Sequence, residues 1–164
     1  MADQNVTAER ARELLAYNKE TGLLSWRFSD RNRRSGEIAG RACKSKGGVT
    51  VGIDGRQYRA HRIAWLIETG SMPRGVVDHV NGDWSDNRFA NLRDVDQSTN
   101  MENLRAATSK SKSGVLGIQK NGSGWCSLIQ VKGKRRYLGT FPTKEEAHSA
   151  YLTAKRELHS GCTI

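Results

Sequence analysis

Cysteine is scarce and poorly placed for structure: Cys43, Cys126 and Cys162 are odd in number, far apart and never in Cys-x-x-Cys pairs. Spacing alone excludes a thiolate zinc centre, so the three read as ordinary free thiols and any metal must be held by oxygen and imidazole. The chain also lacks a run of about 18 apolar residues and a long basic amphipathic helix, so no membrane attachment is expected. Its first residues, MADQNVTAER, are polar and have no apolar signal region. The expected location is a reducing cytoplasm. No internal repeat is evident.

Acidic residues are the other deficit. Seventeen Asp and Glu stand against 27 Lys and Arg, a formal charge of +10, and no acid occurs between Asn103 and Lys144. The same stretch carries Arg105, Lys110, Lys112, Lys120, Lys132, Lys134, Arg135 and Arg136. This balance suits no small neutral substrate. It suits a polyanion bound through counterion release, with nucleic acid as the first expectation.

A chain of 164 residues makes one medium domain or two small ones with modest cores, and the patterning favours two. Ala8, Ala11, Leu14 and Leu15 recur at helical spacing behind Thr7, a good cap, predicting a helix over residues 7–17. Alternation predicts a strand over 23–28, and the basic, glycine-punctuated residues 31–46 read as an exposed loop. Val49, Val51, Ile53 and Tyr58 flank Asp54-Gly55, a hairpin signal. HRIAWLIET over 61–69 is a compact apolar helix ended by Gly70 and Pro73. Residues 106–114, AATSKSKSG, lack the apolar side chains of a packed element and read as a linker.

Residues 77–105, VDHVNGDWSDNRFANLRDVDQSTNMENLR, carry the chemistry. Hydrolysing a phosphodiester needs a base that can take a proton near neutral pH, a task suited to histidine as a residue type, and His79 is the candidate. It also needs positive charge beside the leaving oxygen, which a hard cation on carboxylate and amide oxygens supplies, as Asp78 and Asn100 could. Neighbours on a strand face opposite ways, so Asp78 and His79 could serve metal and water separately only at a strand end or turn, and Asn81-Gly82 offers one. Asn103 is a rival to Asn100 one helical turn on. Asp83 and Asp86 read as local turn formers. His61, on an apolar helix, reads as a packing histidine; His148 and His159 read as surface residues, and Trp65 and Trp84 as core and loop packing.

The order Asp78-His79, Asn91-Leu92-Arg93, Asn100 resembles the HNH homing and phage endonucleases, in the subgroup whose last motif residue is Asn rather than His. The likeness extends upstream through the glycine-rich hairpin and HRIAWLIETGSMPRG, and covers about residues 20–105. It implies a ββα element gripping one divalent ion, with His79 as base and Asp78 and Asn100 as ligands. It places Asn91 in the catalytic set as the residue that bonds across the loop and fixes the His-bearing strand, and Arg93 on the DNA. Hard oxygen donors favour Mg²⁺ or Mn²⁺, and the zinc variant of the family is excluded by the cysteine spacing. The implied products carry 5′-phosphate and 3′-hydroxyl ends.

Residues 113–159 read as three strands and a helix, with turn-like joints at 122–124 and 132–134. Ala147, Ala150, Tyr151, Ala154 and Leu158 form one helix face. Alternation sets Trp125, Ser127, Ile129 and Val131 against Cys126, Leu128, Gln130 and Lys132, and the first, more apolar set should pack on the helix. Gly117-Ile118, Trp125…Ile129, Tyr137-Leu138-Gly139-Thr140-Phe141 and the Glu145-Glu146-Ala147 helix start resemble the APETALA-type domain of plant ethylene-response factors. That resemblance implies a sheet face in the major groove, with Gln119, Gln130, Arg135 and Tyr137, beside Lys132, as DNA contacts. Gln stands at two of the plant Arg positions, and Leu128 replaces an acid, so the plant target sequence does not transfer.

The expected fold class is α+β: a ββα-metal nuclease unit with its N-terminal helix and hairpin over 1–105, a basic linker over 106–112, and a small three-stranded antiparallel sheet packed on one helix over 113–160. The expected function is a metal-dependent endonuclease on double-stranded DNA, nicking as a monomer or cutting both strands as a homodimer. If phage-encoded, it would act in the cytoplasm of an infected bacterium. The rivals are a noncatalytic DNA-binding regulator that retains the fold, and a nuclease for RNA, whose narrow major groove suits a groove-reading sheet less well.

Overall fold

The computed structural model describes residues 6–42, 48–108 and 111–163. Cys43 and residues 44–46 of the expected loop, with Ser109 and Lys110 of the expected linker, lie outside the described residues. The chain separates into two compact units, Met1–Val95 and Asp96–Ile164. This division falls ahead of the 105/106 boundary read from the sequence.

In the first unit, helix α1 (Ala8–Leu14) starts where Thr7 Oγ1 accepts from the Arg10 N–H at 3.2 Å. It stops three residues earlier than expected, since Leu15 already has extended backbone angles and opens strand β1 (Leu15–Asn18). β1 pairs antiparallel with β2 (Leu23–Trp26), and this ladder overrides the local helical pattern. A three-stranded antiparallel sheet follows, β3 (Arg41–Ala42), β4 (Val49–Ile53) and β5 (Arg56–Arg59), with β4 central. Asp54 and Gly55 join β4 to β5 with φ of 48° and 77°, the two left-handed residues a tight hairpin turn requires. Helix α2 (Ala60–Thr69) ends on Gly70 in the left-handed conformation, whose N–H bonds to Leu66 O.

Two apolar contacts hold α2. Ile63 and Leu66 join Ala11, Leu15, Leu24, Val51 and Ile53 in the main core. Ala64 packs with Val77 and Leu92, flanked by Tyr17 and Trp65. Val77 and Leu92 belong to β6 (Val76–His79) and β7 (Leu92–Val95), an antiparallel pair joined by a long loop that ends in a 3-10 turn over Phe89–Asn91. α2 therefore fixes the β6–β7 pair against the core.

The second unit opens with α3 (Gln97–Glu102), capped where Asp96 accepts from the Thr99 N–H at 2.7 Å. The β-β-β-α order then forms: β8 (Ile118–Asn121), β9 (Gly124–Val131), β10 (Lys134–Phe141) and α4 (Lys144–Leu158), with β9 central in an antiparallel sheet. Ile129 and Val131 pack on Tyr151 and Ala154, as strand alternation required. Gly117, with φ of 73°, lets Tyr151 lie against the chain: a Cβ there would sit 1.9 Å from the ring.

Three sequence expectations change here. Lys132 does not continue the β9 alternation; its φ is 48°, and with Gly133 at 78° it forms the β9–β10 turn. His159 is buried, because the chain beyond α4 folds back and its Nε2 lies 2.8 Å from Gln130 O. Trp84 is half exposed rather than packed in its loop, whereas Trp65 packs beside Phe89 with ring centres 5.5 Å apart.

Candidate active site

β6 ends on the Asp78-His79 pair. Val77, on the strand's apolar side, faces α2 and seats the strand. Past His79 the chain turns at once: Gly82, with φ of 74°, donates its N–H to His79 O at 2.8 Å. Asp78 and His79 thus stand at a strand end, where neighbouring side chains can serve different partners.

The partners differ. Asp78 lies across from Arg93 on β7, whose Nε and Nη2 donate to Asp78 Oδ2 at 2.9 and 2.7 Å. Arg93, given above as a DNA contact, is therefore joined to the carboxylate that it neutralises. His79 Nε2 lies 3.0 Å from Asn87 Oδ1, and the His61 ring from α2 meets the His79 ring edge-on at 5.1 Å and 85°. Burial, then the nearby His79, Arg59 and Arg62, lower the His61 pKa to about 4, so this ring is neutral at ordinary pH.

The loop over residues 80–91 is closed by amides. Asn91 Oδ1 accepts from Asn81 N–H at 2.9 Å, and its Nδ2 donates to Asn81 Oδ1 at 3.0 Å and Asp86 O at 2.7 Å. Asn91 also gives its backbone carbonyl to the Val80 N–H. Asp83 accepts from Ser85 N–H and Oγ, and Asp86 from Arg88 and Asn81. Both acids thus make the local turns expected of them. The Arg88 guanidinium holds the Asp86 carboxyl down to about 2.

Asp78, His79, Asn87 and Asn91 are each less than a tenth exposed. Four buried polar side chains are costly unless bonded, and together they define a preorganised polar cluster in a small unit. The structure brings together Asp78, His79, Asn91 and Arg93. Asn100 stands half-buried in α3 of the second unit. Its rival Asn103 is buried and accepts from Thr163 Oγ1. Asn87 and His61 are the neighbours of His79 that sequence reading did not assign to it.

Among the described residues no three His, Cys, Asp or Glu side chains group as a metal cluster. The donor chemistry at Asp78 still fits a Mg²⁺-type ion, which typically uses one or two carboxylates and completes its shell with water and substrate phosphate oxygens.

The sheet of the second unit places the other expected contacts. Gln119 pairs with Cys126, Gln130 with Arg135 and Leu128 with Tyr137, so Gln119, Gln130, Arg135 and Tyr137 share the sheet face opposite Ile129 and Val131. All four are exposed, as is Lys132 in the adjoining turn. Gln119, Gln130, Lys132 and Arg135 also border a cavity of about 590 Å³ that Gln97 and Glu102 of α3 help to line.

The model of the HNH endonuclease family matches residues 58–102, from β5 through the Asp78-His79 pair to the end of α3. This stretch is similar to an HNH endonuclease domain, a likeness that at family level suggests a nuclease with DNA as its partner. No curated protein and no solved structure matches the chain. Among the described residues no helix is long and apolar enough to cross a membrane.

Proposed function

We propose that the protein is a divalent-metal-dependent endonuclease that hydrolyses phosphodiester bonds in double-stranded DNA to 5′-phosphate and 3′-hydroxyl ends. The observation that carries this reading is His79, buried at the end of β6 beside Asp78 and oriented by two side-chain neighbours. His79 takes the proton of the attacking water. Asp78 holds the ion, with Asn100 as second oxygen donor on the strength of the motif order alone. Mg²⁺ or Mn²⁺ bound there would supply positive charge to the phosphate and the leaving oxygen. Asn91 keeps the loop closed, and Arg93 balances Asp78 and adds a phosphate contact. The exposed face of the β8–β10 sheet, resembling that of the plant ethylene-response factors, holds DNA through Gln119, Gln130, Arg135, Tyr137 and Lys132. Phage origin, with action in an infected bacterium, follows from the subgroup resemblance.

The test is supercoiled plasmid incubated with the full chain and Mg²⁺ or Mn²⁺, beside His79→Ala. Wild type should relax or linearise the plasmid, and the variant should be slower by roughly 10²- to 10⁴-fold while binding DNA equally well. Equal cutting by both would reject His79 as the base. Binding without cutting by wild type, across salt and metal conditions, would instead identify a DNA-binding regulator.

A further inference from the structure

We propose that Asn87 is the positioning residue of His79, and that the β1–β2 hairpin holds Asn87 in place. The proposal rests on the reading of His79 as base and deepens it by assigning the working nitrogen. Asn87 Oδ1 lies 3.0 Å from His79 Nε2. An amide oxygen only accepts, so the nitrogen that faces it carries the hydrogen. A neutral imidazole has one N–H, and Nδ1 is left with the lone pair that accepts a proton. When water is deprotonated, its O–H bond breaks, the proton goes to Nδ1, and Nε2 keeps its own hydrogen on Asn87. Asn87 itself takes no proton.

Asn87 is 5% exposed and is braced by a segment that the family match does not reach. Tyr17 in β1 donates its hydroxyl to Asn87 O at 2.7 Å. Phe89 N–H donates to Lys19 O at 3.1 Å. Gly22, in the β1–β2 turn, passes so near that a Cβ would lie 2.5 Å from Asn87 C and Arg88 N. These three contacts from residues 17–22 fix the backbone at Asn87 and just after it. The His61 ring packs T-shaped against the His79 ring on the α2 side.

The test uses full chain labelled with ¹⁵N-histidine, studied by long-range ¹H–¹⁵N spectra about two units above the ordinary imidazole pKa, where tautomers are resolved. His79→Gln assigns the signal. Wild type should show the Nε2–H tautomer. Asn87→Leu should give a tautomer mixture and cut plasmid roughly 10- to 100-fold more slowly with DNA binding unchanged. Asn87→Asp retains the acceptor and should keep the Nε2–H tautomer; Tyr17→Phe should slow cutting about threefold. The Nδ1–H tautomer in wild type, or its appearance in Asn87→Asp, would overturn the proposal, as would an Asn87→Leu protein unchanged in tautomer and rate. Should Asn87→Leu fail to fold, the Asp and Phe variants decide. A wild type that never cuts, yet loses its Nε2–H tautomer in Asn87→Leu, overturns the nuclease reading and upholds the positioning.

Discussion

The two units arrange their polar residues in opposite ways. In the first, Asp78, His79, Asn87 and Asn91 are withdrawn from solvent and bonded to the chain, His79 being 8% exposed. In the second, Gln119, Gln130, Arg135 and Tyr137 stand out from a sheet face, and Tyr137 is 63% exposed. Buried groups are held in one geometry and are costly to disturb. Exposed ones remain hydrated and contribute individually small, salt-screened contacts. The first arrangement suits bond breaking, which needs fixed atoms; the second suits gripping a polyanion, which needs many weak contacts.

The largest effect that would sharpen this contrast is on acid stability. His61 has its folded-state pKa lowered to about 4 by burial, against an ordinary value near 6.5, so the native state favours the neutral ring. Its contribution to stability is complete above the unfolded pKa and is lost as pH falls from about 6.5 towards 4, reaching about 3 kcal/mol. Denaturant unfolding of wild type across that window should show the fall, and His61→Phe should show a flatter profile. The same slope in both would mean that the ring is hydrated and the cluster around His79 is open.

Next in size is the loop clasp. Asn91→Ala removes three side-chain hydrogen bonds and leaves Asn81 N–H and Asp86 O in need of partners. A loss of about 2 kcal/mol is expected by thermal or denaturant unfolding, with a fall in cutting that Mg²⁺ concentration does not restore. A variant as stable and active as wild type would mean that the loop is held by its Asp83 and Asp86 turns alone.

Sequence reading reached these regions unequally. The Asp54-Gly55 hairpin, helix α2 and the β-β-β-α order of the second unit were legible, because turn chemistry and apolar period are local properties. β1 was not: residues 15–18 continue a helical pattern, and only their ladder with β2 draws them into a strand. Lys132 shows the same limit, since alternation cannot tell the last strand residue from the first turn residue. At the site, Asp78, His79 and Asn91 could be named from one ordered motif. Asn87 could not, because Asp86-Asn87-Arg88 reads as one more turn and its contact with His79 closes only when the loop folds over the strand end. His159 escaped for a related reason: its burial depends on a return of the chain to Gln130, with no period to announce it.

The smallest expected effect concerns the exposed sheet. Arg135 stands opposite Gln130 on β10 and is exposed. Arg135→Ala should leave unfolding unchanged, weaken DNA binding severalfold at low salt, and reduce the slope of log affinity against log salt by about 0.9, the release of one counterion. Cutting at saturating protein should be unaffected if Arg135 serves as the proposed DNA contact, since such a contact contributes to holding rather than to the reacting phosphate. Fluorescence anisotropy on a short duplex at several salt concentrations measures the slope. An unchanged slope would place the DNA elsewhere than on this face. A loss of cutting at saturation would break the proposed division of labour, making the sheet part of the reacting geometry.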